Sequence, residues 1–374
     1  MDVGFQGTID YGGQGRVTIE LTRALASLCD QITVYPTALS VQNPTEHNWW
    51  TDMPSNINVA DKRGLVGSLI RDSVSFRTHD LVHVNYGSLG LPALASHVLT
   101  GTPFVYTLHH YDEPSNVTNK FSMKIKYWLD AKIGARLLAS MGKFVTISEY
   151  NRSRVQKRIG QEPEVIYHGI NPKPYRNSFS HNVREKFDLR EESDIILFVG
   201  KFHGYKDTVT LIRAFNHLLE NYSIDTELVL LSGGGPEAPK IRRSINDFNL
   251  EEDCTIIPEI NDDLLFAFYD EASVFAFPSY GESFGLVYLE AMAAGLPIVC
   301  VQGGAASEVV DTAAELVPPG DASTLADKLA SVLDNQDVAS SLRNRGLKRV
   351  EKFTWEKAAQ NYLEIYKEAV DNDN

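Results

Sequence analysis

The chain has 374 residues, too many for one ordinary hydrophobic core and suited to two domains. Its 43% hydrophobic and 22% charged content exclude a disordered chain, and a net charge of −14 argues against a nucleic-acid binder, which carries a basic footprint. Three cysteines, Cys29, Cys254 and Cys300, have neither disulfide nor zinc spacing and suit a reducing compartment.

Short runs rich in Val, Ile, Phe and Tyr alternate with helix-length segments. The first half reads as strands at 3–8, 32–35, 57–60, 81–85, 104–108, 144–147 and 165–167. The second half reads as strands at 195–200, 228–232, 255–257, 274–277, 298–301 and 315–317. This alternation predicts parallel sheets covered by helices on both faces. The pattern occurs twice and breaks at "YHGINPKPYRNSFSHN", residues 167–182, where Gly169, Pro172 and Pro174 mark a linker. The expected fold class is α/β, with two doubly wound Rossmann-like domains at 1–172 and 173–354 facing each other across a cleft. An amphipathic run at 355–370, within the tail 355–374, either finishes the second domain or crosses back to the first. The start of the chain shows no basic end and apolar run of a signal peptide, and no apolar stretch approaches the roughly 18 residues that span a bilayer. A cytoplasmic location is expected.

After the first strand, "DYGGQGRVTIELTRAL" is a Gly-rich turn opening a helix. Gly12, Gly13 and Gly15 allow close backbone approach, and free amides at a helix start favour a phosphate. The dinucleotide fingerprint fails, because Thr18 stands where its last glycine or alanine belongs. A plain structural turn fits this stretch equally well. "LFVGKFHGYKDTVTLIRAF" repeats the design in the second half, with Lys201 and Lys206 bracketing the loop. Two cations there suit a diphosphate, or are ordinary solvated lysines. "LLSGGGPEAPKI" adds a turn at Gly233–Pro236. No P-loop is present, and the only Asp-x-Asp, Asp371 and Asp373, lies in the tail, so neither ATP hydrolysis nor a metal-bridged diphosphate is indicated.

"PSYGESFGLVYLEAMAAGLPIV", residues 278–299, sets Glu282 and Glu290 among small and apolar residues. Carboxylates seldom occupy such company unpaired. A turn at 278–281 leads to a helix expected to start around Phe284 and to stop before Gly295 and Pro297. The amides of Ser283, Phe284 and Gly285 would then lie at its N-terminus. Glu290 would sit roughly 7–8 Å further along the axis, the offset between a diphosphate and the far hydroxyls of a ribose. On the structural alternative, Glu282 serves the helix dipole, Ser283 is an N-cap and Glu290 pairs with a buried arginine.

This stretch resembles the E-x7-E motif of family 4 glycosyltransferases, retaining enzymes of the GT-B fold, and the likeness runs over nearly the whole chain. "FVGKFHGYKDTVTLIRAF", "VTISEYNRSRV", "VIYHGIN" and "TPFVYTLHHYDEP" are similar to further family segments, with Lys201 standing where arginine is usual. The resemblance implies an acceptor-binding first domain and a nucleotide-sugar-binding second one. It implies that Glu290 binds the ribose and that Glu282, Ser283, Phe284 and Gly285 hold the donor sugar. Gly13, Lys201, Lys206 and Leu286 would meet the diphosphate, and Glu259 and Ile260 the base. His109, Glu282 and Lys206 would form the catalytic set, with Arg16 and Asp112 toward the acceptor. His83, inside "LVHVNY", reads as a core histidine.

The implied activity is transfer of a sugar from a nucleoside-diphosphate sugar to a hydroxyl of a glycan, lipid-linked or small-molecule acceptor, with retention and without a metal or other cofactor. A nucleotide-sugar epimerase or phosphorylase on the same fold, and a non-catalytic sugar-binding protein, are the alternatives. A dinucleotide oxidoreductase is disfavoured by the failed fingerprint. Residues 119–143 carry six cations against Asp130, with Trp128 and apolar residues between, and offer a peripheral membrane contact or an ordinary solvated helix.

Overall fold

Strands covered on both faces must be apolar along their whole length, and the sequence supplies such runs as "VFAF" and "IVCV". A computed structural model of the chain describes residues 1–8, 13–37, 53–61, 71–85, 90–110, 135–176 and 182–372. It divides into two units, Met1–Gly169 with Thr354–Asn374, and Ile170–Phe353.

The first unit holds β1 (Asp2–Gly7), β2 (Gln31–Pro36), β3 (Ile57–Val59), β4 (Leu81–Val84), β5 (Phe104–Leu108), β6 (Lys143–Thr146) and β7 (Glu164–Val165). They form one parallel sheet in the order β3-β2-β1-β4-β5-β6-β7. The second unit holds β8 (Asp194–Val199), β9 (Thr226–Leu231), β10 (Cys254–Ile257), β11 (Val274–Phe277), β12 (Ile298–Val301) and β13 (Ala314–Val317). Its parallel sheet runs β10-β9-β8-β11-β12-β13. Each of the thirteen strands expected from sequence lies within two residues, at both ends, of an observed one. No helix among the described residues is long and apolar enough to cross a membrane.

In each sheet the strand order reverses once, between β1 and β4 and between β8 and β11. Connections leave such neighbours toward opposite faces, so their loops part at the carboxyl ends and open a crevice suited to a ligand. In the second unit these loops are residues 200–207 and 278–285, the two stretches singled out by the sequence. In the first unit the loop after β1 and the residues after Asn85 fall largely outside the described residues.

The helix Gly13–Leu25 packs on β1 by an exchange of residue sizes. Thr18 is bulky where a dinucleotide fold needs a small residue, and Gly7 on the strand makes the room. A Cβ at Gly7 would stand 2.7 Å from Thr18 Oγ1.

The last helix, Trp355–Asn372, groups with the first unit although the second unit intervenes in sequence. A buried polar cluster fastens it. Tyr366 OH is 2.6 Å from His83 Nδ1, His83 Nε2 is 2.8 Å from Thr107 Oγ1, and Thr107 Oγ1 is 3.0 Å from Tyr362 OH. Burial, with His109 nearby, holds the His83 pKa well below the usual 6.5, so the ring is neutral when folded. The unfolded chain takes up this proton near 6.5 and the folded chain does not. Stability is therefore complete above 6.5 and falls as the pH drops below it. Trp355 is buried in this unit, so its fluorescence reports the unit's unfolding. The melting temperature read by tryptophan emission should decline between about pH 7.5 and 5.5, above the range where carboxylates titrate. A flat profile would refute the neutral buried histidine.

Candidate functional site

The site in the second unit starts from the loop after β8. Gly204–Lys206 forms one 3-10 turn, which carries Lys206 inward while Lys201 stays exposed. Tyr205 O accepts a hydrogen bond from Tyr280 N at 3.0 Å, which ties this loop to the one after β11, and Ser279 Oγ lies 3.2 Å from the same oxygen. Lys206 Nζ then donates to Glu282 Oε1 at 2.6 Å, and Ser279 Oγ donates to the same oxygen at 2.8 Å. The side chains of Lys206 and Glu282 are only 11% and 13% exposed, and the ammonium lies 4.6 Å from the Phe277 ring centroid. A charge pair so withdrawn from water must be held by close geometry and further hydrogen bonds, and both are present.

The backbone at Glu282 is gripped from below. Ala305 N donates to Glu282 O at 2.8 Å, and a Cβ at Gly304 (φ 56°) would stand 2.5 Å from that oxygen. The Gly-Gly pair after β12 is therefore a bed for the glutamate turn, a role that the sequence reading did not assign.

The helix itself begins later than expected. Gly285 takes a left-handed φ of 88°, which L side chains rarely adopt, and the helix runs Leu286–Ala293 rather than from Phe284. Glu282, Ser283 and Phe284 thus precede the helix on a separate turn, and the amides that open it are those from Leu286 onward. Ser283 is not its N-cap; the N-cap is Gly285, with no side-chain cap. An uncapped helix start presents orphan amides and positive dipole charge, the ordinary requirement for an anion. The helix is buried on every side, with Tyr288, Leu289, Ala291 and Met292 enclosed and Glu290 only 6% exposed. Glu290 pairs with no arginine among the described residues: Tyr269 OH donates to Glu290 Oε2 at 2.8 Å. Tyr269 stands on the helix Asp262–Glu271, whose N-cap Asn261 accepts from Leu264 N at 3.1 Å.

Glu259 and Ile260 follow β10 and are exposed or half-exposed. Glu259 borders the Gly-rich turn after β9, where a Cβ at Gly233 would lie 3.5 Å from its carboxylate. Lys206, Glu282, Ser283, Phe284, Gly285 and Leu286 thus lie at the strand ends of β8 and β11, and Glu290 lies further along the helix that Leu286 opens. Lys201 shares the loop, and its side chain reaches no hydrogen-bond or ion-pair partner among the described residues.

In the first unit, His109 ends β5 and is 7% exposed. Its Nε2 lies 2.7 Å from Asn85 Oδ1 and its Nδ1 3.1 Å from His168 Nε2. Burial, with His110 nearby, pushes its pKa down to about 4, although the contact to Asn85 pulls upward. Neutral His109 carries one ring proton. Asn85 Oδ1 can only accept, so Nε2–H donates to it and Nδ1 accepts from His168 Nε2–H. Asn151 supports the strand end by donating to Leu108 O at 3.1 Å, which gives "VTISEYNRSRV" a structural task. Gly13 and Arg16 lie in the first turn of the helix after β1. Asp112, and residues 119–134 of the basic stretch, lie outside the described residues.

Comparisons with known proteins agree with this organisation. Residues 11–173 match the family model described as Glycosyltransferase Family 4, and residues 180–349 that of Glycosyl transferases group 1. A D-inositol 3-phosphate glycosyltransferase of Kribbella flavida is 24% identical over 98% of this chain and 92% of its own. An Anabaena protein, HepE, solved in complex with UDP and glucose, aligns with a TM-score of 0.78 at 18% identity, covering 98% of this chain and 100% of that one. Sucrose-phosphate synthase from Thermosynechococcus elongatus aligns at 0.72 and 20% identity, covering 98% of each chain. Likeness at these identities carries the fold, while the two family models, one for each half, carry the class. The chain belongs to glycosyltransferase family 4 and is a glycosyltransferase of the GT-B fold.

Proposed function

We propose that this enzyme transfers a sugar from a nucleoside-diphosphate sugar to an acceptor hydroxyl, with retention of the anomeric configuration and without a bridging metal. The observation that carries this reading is the Lys206–Glu282 pair beside the uncapped start of the Leu286–Ala293 helix, whose flank holds the buried Glu290. Lys206 and Lys201 oppose the charge that grows on the departing diphosphate, and the helix amides add to them. Glu290 accepts from the ribose hydroxyls, the residues from Glu282 to Gly285 hold the sugar, and Glu259 and Ile260 border the base. Glu282 already accepts two hydrogen bonds on Oε1, which suits a positioning carboxylate better than a nucleophile and favours attack from the face that the diphosphate leaves. The UDP and glucose held by the Anabaena structure favour a UDP-sugar. In the first unit, His109 is assigned to the transferred sugar as an uncharged ring, Gly13 to the diphosphate, and Arg16 and Asp112 to the acceptor.

We further propose a peripheral membrane contact. Leu91, Val98 and Leu99 on the helix Leu91–Thr100, and Leu137 and Met141 on the helix Ala135–Met141, are exposed apolar side chains. The two helices adjoin, since a Cβ at Gly90 would stand 2.6 Å from Leu138. A lipid-linked acceptor fits such a surface.

Three outcomes test these readings. Lys206→Ala should lower kcat by about 100-fold or more, and Glu290→Ala should raise the donor KM by about tenfold or more, in variants with native circular dichroism. Unchanged rates would remove these assignments. Anomeric proton NMR of the first product should show the configuration of the donor, and inversion would overturn the mechanism. Donor conversion with no need of acceptor would instead favour an epimerase or phosphorylase, and no turnover at all a binding protein. In flotation with anionic vesicles, the protein should float, and Val98→Asp with Leu99→Asp should reduce the floating fraction. Failure of the native chain to float would remove the membrane contact.

A further inference from the structure

A glutamate on a helix has several rotatable bonds, and its own helix does not fix the plane of its carboxylate. Around Glu290 the neighbours along the helix are apolar and buried, so orientation must come from elsewhere. Tyr269 supplies it. Its hydroxyl donates to Oε2 at 2.8 Å, and its ring is fully buried. Tyr175 meets that ring edge-on with centroids 5.6 Å apart, and Phe275 on β11 lies 6.0 Å away. Phe266 in turn holds Tyr175 at 4.8 Å. The hydroxyl is thus set by a rigid ring on a capped helix rather than by a flexible chain.

We propose that Tyr269 is a positioning residue for the donor: it fixes the Glu290 carboxylate in the plane that receives the ribose hydroxyls, and so sets the preference for ribose without touching the nucleotide. This rests on the reading of Glu290 as the ribose carboxylate. A buried carboxylate that loses one of its donors is both less well solvated and less well aimed. A site built around paired hydroxyls discriminates strongly against a sugar that lacks them, because its polar groups are then left unmatched.

Isothermal titration of UDP and of 2′,3′-dideoxy-UDP separates these roles, with the GDP and ADP pairs used where UDP is not the nucleotide bound most tightly. The native enzyme should prefer the ribose form. Tyr269→Phe should lose about tenfold of that preference, through weaker binding of UDP, while the dideoxy form binds within about twofold of native. The donor KM should rise with kcat nearly unchanged. Glu290→Gln should lose the same preference, and the double variant should lose little more, as expected for two residues acting as one unit. Full ribose preference in Tyr269→Phe would overturn the proposal, as would an equal loss for both ligands, which marks a merely structural residue. Full preference in Glu290→Gln would overturn the ribose reading itself, whatever Tyr269 does.

Discussion

The contact between Lys206 and Glu282 is the constraint on which the second unit's site depends. The two residues are 76 apart in sequence, yet their parent strands β8 and β11 are neighbours at the reversal of the sheet. The pair therefore converts a topological fact into a chemical one, joining the loops that part there. Removing either partner would strand a charge with little access to water, a far larger penalty than the net worth of the pair. Ser279, Tyr205 and the Gly303–Gly304 bed all act on the same turn, so the ammonium is aimed before any ligand arrives. Preorganisation of this kind lets a cation stabilise developing negative charge without reorganising during the reaction.

The first unit uses burial in the opposite way. Its histidines at 83, 109 and 168 are enclosed and their pKa values are all depressed, with burial the largest cause. They act as neutral rings whose two nitrogens suit one donor and one acceptor each, in two hydrogen-bonded sets: His83 with Tyr366 and Thr107, and His109 with Asn85 and His168. At its candidate site the second unit thus buries a paired charge, while the first unit encloses neutral histidines.

Much of this was readable from residues alone, and the reason is physical. A parallel sheet buried on both faces demands unbroken apolar strands, so β9, β11 and β12 announce themselves, as do the loops that follow them. The glutamates at 282 and 290 were conspicuous because carboxylates are rare in such surroundings. What stayed hidden depends on tertiary approach. Tyr269 lies 21 residues from Glu290, and nothing in "LLFAFYDE" distinguishes the tyrosine that meets it from a simple core residue. The compensation between Gly7 and Thr18 needs the helix docked on the strand before it makes sense. The helix start moved by two residues because a left-handed backbone at Gly285 cannot be read from a glycine that also fits a helical turn. The pairing of His109 with His168 joins two family segments that lie 59 residues apart.

The closing helix of the first unit is made after the whole of the second unit. Tyr362 and Tyr366 reach His83 and Thr107 only after the whole of Ile170–Phe353 has left the ribosome. During translation the second unit, contiguous in sequence, can complete its fold while β4 and β5 still lack the side chains that satisfy their enclosed polar groups. The nascent first unit therefore keeps that face open until the helix that covers it has been synthesised.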